Sequence, residues 1–151
     1  FRAPRPPVPL LSGKPGRTPG AHGGFRVVRA TLVIAIALIT VGLLGWAWSG
    51  FAAVTALIPA FFGVPILALG LVARRECWRK HAMHAALVVS LFGILGAAPM
   101  AARGWATAAR GETLERPVAL AVQSSMTVLC LAHVALGVSS FIAARRKPAA
   151  A

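Results

Sequence analysis

Aspartate is absent from this 151-residue chain, and Glu76, Glu112 and Glu115 are its only acids. Without aspartate there is no Ser-His-Asp triad, no aspartic dyad and no carboxylate cluster for magnesium or calcium. A glycine-rich phosphate loop is missing too, as is any repeat of the length that marks a solenoid. The residues therefore argue against hydrolase, kinase and nucleotidyl chemistry, and the chain is read as not being an enzyme. Charge of either sign is scarce, at 13% of residues, and it is lopsided: sixteen Lys or Arg stand against the three glutamates, a net charge of +13. Two cysteines, Cys77 at the edge of an apolar run and Cys130 inside one, imply no disulfide.

What is abundant is apolar: 58% of the chain is hydrophobic and the mean hydropathy is +0.76, values foreign to a soluble domain. Four runs free of Lys, Arg, Asp and Glu carry this character, at about residues 30–48, 51–72, 84–102 and 117–143. Nineteen residues at 1.5 Å each nearly cross a ~30 Å hydrocarbon layer. Backbone polar groups in lipid must pair within their own segment, so each run is expected to be helical. The fold class expected is all-α: an antiparallel bundle of four transmembrane helices over residues 27–147, preceded by a disordered tail over residues 1–26. That tail holds six of the eleven prolines and no periodic apolar pattern. The chain opens on Phe1 and reaches its first methionine only at Met83, so the tail is expected to be either the front of a fragment or an upstream read-through ahead of a start at Val27 or Val28.

The basic residues cap the runs, so the partner they imply is a lipid headgroup layer and not nucleic acid. Thirteen of them, in the N-terminal flank, the link at Arg74 to Lys80 and the C-terminal Arg145, Arg146 and Lys147, fall on one predicted side; Arg103, Arg110 and Arg116 fall on the other. By the positive-inside rule both termini are expected in the cytoplasm, with the chain in the cell's inner membrane. Trp46, Trp48 and Trp105 at the outer ends and Trp78 at the inner link suit the same frame, because indoles favour the interface. Glu112 and Glu115 beside Arg110 and Arg116 read as a solvated, locally paired loop.

Three groups of residues invite a functional reading. On a continuous helix Cys77, His81 and His84 share one face, and thiolate with imidazole suits zinc or copper; against this, Arg79 and Lys80 lie alongside and a fourth ligand is missing. No cofactor is expected. In the fourth run Gln123, Thr127, Cys130 and His133 are polar or ionisable groups at membrane depth, where such groups face a neighbouring helix. His133 is read as an interhelical hydrogen-bonding group, with a proton relay or haem ligand as the functional alternative. Pro59, Pro65 and Pro99 are expected to kink the second and third helices.

The strings TALIPAFFGVPILALGL (Thr55 to Leu71) and RKHAMHAA (Arg79 to Ala86) resemble a group of small, uncharacterised four-helix bacterial membrane proteins. The resemblance spans about Ala30 to Lys147 and implies the same topology, with no activity attached. Four-helix dimeric multidrug exporters are of similar size but depend on an acid in their first helix, which this chain lacks. The reading that follows is a structural or accessory membrane subunit, packing with itself or with other membrane proteins. Its alternatives are an oligomeric channel or transporter subunit and a metal- or haem-linked redox protein.

Overall fold

A computed structural model describes residues 21–114 and 116–145, and among these every regular element is helical. The order is α1 (Ala21–Trp48), a 3-10 turn (Val54–Leu57), α2 (Ile58–Val72), α3 (Arg79–Ala109) and α4 (Pro117–Arg145). Most of the expected tail, together with Glu115, Arg146 and Lys147, lies outside the described residues. Each apolar run forms a helix long and apolar enough to cross a membrane. Around the bundle α1 packs on α2 and α4, and α3 packs on α4 and α2.

Three of the four helices, α1, α3 and α4, exceed their apolar runs because charge sets the limit of the hydrocarbon layer, not the limit of backbone hydrogen bonding. Thus α3 starts at Arg79 where the run suggests His84, and continues to Ala109 past Ala102. Likewise α1 begins at Ala21, so residues 21–26, expected to be disordered, are helical. Two helices stop by the same device. In α1 the Gly50 and Phe51 N–H groups donate to the Ala47 and Trp46 carbonyls; in α3 the Gly111 and Glu112 N–H groups donate to those of Ala108 and Thr107. Gly50 (φ 66°) and Gly111 (φ 74°) take the left-handed conformation that this terminator requires. Phe51 shares it at φ 63°, held by the Trp46 indole N–H donating to its carbonyl at 3.1 Å and by an edge contact between the two rings at 4.8 Å.

The second helix departs from expectation. Its run begins at Phe51, yet α2 starts at Ile58 and puts Pro59 in its first turn. Pro59 therefore sits at a helix start and is not an interior kink, because in the first turn its missing N–H loses no bond that α2 would have made. Pro65 and Pro99 do lie inside α2 and α3, where each withholds one helical N–H.

The interior centres on Ile34, Ala35, Leu38, Ile66, Ala97, Met126 and Cys130, with a second cluster of Val28, Ala73, Ala82 and Met83 at the basic end. Helices α1 and α2 approach closely: a Cβ on Gly63 would stand 2.9 Å from the Ala35 carbonyl oxygen. Large apolar side chains also cover the outside, Phe61 at 80% exposure and Val33 at 66% among them. An apolar surface of this kind all round the bundle is compatible with lipid as its solvent.

Candidate functional site

Three polar side chains from three helices meet inside the bundle. Thr31 of α1, Ser90 of α3 and His133 of α4 are each no more than 1% exposed. The His133 ring is held at both nitrogens, with Nε2 3.0 Å from Thr31 Oγ1 and Nδ1 2.7 Å from Ser90 Oγ. α2 closes the layer with Gly70, where a Cβ would come within 3.3 Å of the Thr31 methyl. All four helices thus contribute to one level of the bundle.

Each hydroxyl has a second partner on its own helix. Thr31 Oγ1 lies 3.0 Å from the Val27 carbonyl and Ser90 Oγ 3.1 Å from that of Ala86, the back-bond by which Ser and Thr satisfy themselves within a helix. A hydroxyl has one proton to give, so the two sets of contacts are linked. With both back-bonds made, both hydroxyls can only accept from the ring, and both ring nitrogens must donate. With a neutral ring, one nitrogen accepts, so one hydroxyl turns to donate to it and releases its carbonyl. Either arrangement leaves both ring nitrogens partnered, and no buried side-chain nitrogen or oxygen among the described residues lacks a partner. Among the described residues no acid takes part: Glu76 and Glu112 are exposed.

The level of the triad refines the sequence reading. Thr31 is the second residue of the apolar run that begins at Ala30, so His133, paired with it, lies towards the basic end and not at mid-membrane. Thr31 and Ser90 are the residues that reading the sequence missed. Their common level shows only against the folded helix ends: Thr31, Ser90 and His133 stand 10, 11 and 12 residues from the ends of α1, α3 and α4 on the basic side, whereas the apolar runs end at different distances from them.

The other polar residues of α4 do not join the triad. Thr127 donates to the Gln123 carbonyl on its own helix at 2.8 Å. Gln123 lines a cavity of about 360 Å³ at the opposite end, shared with Thr107, Glu112, Thr113 and Arg116. Cys130 is fully buried against α3, its Sγ 3.0 Å from where a Cβ on Gly93 would stand.

The expected metal set is corrected by the helix boundary. α3 begins at Arg79, so Cys77 sits in the preceding turn and shares no helical face with His81 and His84. All three side chains are exposed, and no group of three His, Cys, Asp or Glu among the described residues is placed to hold a metal ion. His84 instead donates from Nδ1 to the Lys80 carbonyl at 2.9 Å and rests its ring 4.9 Å from that of Phe141 on α4. At the far loop Arg110 and Glu112 pair at 2.7 Å, both well exposed.

No protein family, curated protein or solved structure matches this chain.

Proposed function

We propose that this protein is a non-enzymatic subunit of the cell's inner membrane, with both termini in the cytoplasm, that packs in the bilayer with copies of itself or with other membrane proteins. The observation that carries the reading is the outward face of α3 near its middle. There Phe92, Gly96, Pro99 and Met100 are all exposed, and a Cβ built on Gly96 meets nothing within 4 Å. A glycine between two large side chains leaves a notch into which another helix can lay its backbone, the small-residue geometry by which membrane helices associate. Gly93 and Ala97, the small residues one register away, are turned inward and already used.

Native mass spectrometry of the full chain extracted from its own membrane tests this reading, because it reports partners and copy number together. Assemblies are expected for the wild type and their loss for Gly96→Leu. A solitary monomer in mild detergent overturns the proposal.

A channel or transporter subunit is the second reading, favoured by the triad and by Pro65 and Pro99. Among the described residues the fully buried Leu38, Ile66 and Met126 pack between the cavities at the two ends of the bundle. Any path would run between copies, and liposome flux would detect it. The metal- or haem-linked reading is not carried further, because Cys77, His81 and His84 do not converge and both His133 nitrogens are engaged.

A further inference from the structure

At the basic end, one turn beyond the triad, the start of α1, the first turn of α3 and the end of α4 border a small, half-open pocket of about 110 Å³. Its walls divide by chemistry. Val27, Met83, Phe141 and the bare backbone of Gly137 are apolar, whereas Arg79, Lys80 and Ser140 bring two cations and a hydroxyl. Among the described residues no acid lines it, and the first turn of α3 contains none. The Phe141 wall is fixed by its contact with the His84 ring. Val27 and Met83 form a wall common to the pocket and the triad: Thr31 Oγ1 donates to the Val27 carbonyl and lies 3.9 Å from Met83 Sδ.

The size restricts the occupant. Sites that enclose a whole small molecule measure roughly 300–1,000 Å³, so this pocket holds part of a larger one. The occupant must carry negative charge opposite Arg79 and Lys80, and an apolar portion beside Met83 and Phe141 that continues outside against α4, where Val138 and Ile142 are exposed. An anionic phospholipid meets each requirement in a chain whose surroundings are lipid. We propose that this pocket binds the phosphate and glycerol end of one anionic phospholipid from the leaflet at the basic end, its acyl chains lying along α4. The site differs from general attraction to an anionic surface, which every Lys and Arg at this end supplies. It rests on the membrane reading, and the two fail differently: a chain that stays in solution without detergent defeats that reading, whereas a detergent-held chain blind to lipid type defeats only the site.

The test uses the full chain, delipidated in mild detergent and titrated with phosphatidylglycerol, phosphatidylcholine and inorganic phosphate, with bound lipid read by native mass spectrometry. Phosphatidylglycerol is expected to bind one per chain, at least about tenfold more tightly than phosphatidylcholine, the scale of one charge-assisted hydrogen bond. Replacing Arg79→Gln and Lys80→Gln together removes that preference. Replacing Arg74→Gln and Arg75→Gln, the same charge loss at the same end but outside the pocket lining, leaves it within about twofold, since exposed charges that do not touch the bound headgroup contribute little. Ser140→Phe fills the pocket with every charge kept, and abolishes tight binding even if the first double variant fails to fold. The site is overturned by equal losses in the two double variants, by equal binding of phosphatidylcholine, by an unaffected Ser140→Phe, or by inorganic phosphate displacing the lipid at equal concentration.

Discussion

At the basic end Thr31, Ser90 and His133 close their hydrogen bonds on one another between helices, whereas at the opposite end Thr107, Glu112, Thr113, Arg116 and Gln123 line a cavity of about 360 Å³ and Arg110 pairs with Glu112 on the exposed surface. The two ends differ in what their polar groups answer to. A buried polar group in a lipid-facing bundle has no water to turn to, so its partner fixes how the helices are rotated against each other. A polar group at an open cavity exchanges its partner for water at little cost. The basic end is therefore where buried side-chain chemistry specifies the bundle; at the opposite end the side-chain bond between helices, from Trp105 Nε1 to Ser124 Oγ at 3.0 Å, is exposed, and the polar groups there mainly solvate the chain.

This contrast predicts a ranking of substitutions, each measured as a shift of thermal unfolding in detergent. His133→Ala is expected to cost most, roughly 2–4 kcal/mol, because it deletes a large buried ring and both interhelical bonds at once; an unchanged melting point would remove the triad from any structural role. Gly63→Ala comes next, at about 1–3 kcal/mol, since the added methyl meets the backbone of α1 at 2.9–3.0 Å, which cannot swing aside as a side chain would. Ser90→Ala should cost about 0.6–1.7 kcal/mol, the range for single hydrogen bonds between membrane helices. Its partner ring stays bonded to Thr31, so the loss is expected to be well below that of His133→Ala. Glu112→Gln, at the other end, is expected to shift stability by no more than about 0.2–1 kcal/mol, and less in high salt, because the pair with Arg110 is more than half exposed on both sides. A cost for Glu112→Gln equal to that for Ser90→Ala would break the comparison between the ends.

The parts of the fold that were legible are those that depend on composition along a single segment. Apolar runs of 19 residues or more mark helices, because lipid leaves the backbone no other way to pair. The boundaries were less legible, since Arg79, Lys80 and His81 end a run without ending a helix. Pro59 shows a local rule outweighing the run: the apolar stretch continues on both sides of it, but the backbone of α2 begins there. The candidate site was half visible. His133 stood out as an imidazole among apolar residues, whereas Thr31 and Ser90 look like the isolated hydroxyls that many membrane helices carry satisfied by their own carbonyls. Helices apolar on all sides give no amphipathic stripe from which to tell the inward face, so nothing in the order of residues pairs Thr31 with His133 across 102 positions.

Residue order alone was enough to place four helices among the described residues, to locate their apolar centres and to gather most basic residues at one end, because each of these follows from the free energy of a short segment against water or lipid. Which faces turn inward was set only when the helices packed. Packing brought Thr31, Ser90 and His133 to one level, drew Gly63 and Gly70 against α1, and separated Cys77 from the face of His81 and His84. The physical reason is that rotation of an apolar helix about its axis changes its burial in lipid very little, so the choice falls to the few contacts, hydroxyl to imidazole and glycine to backbone, that exist only once the helices meet.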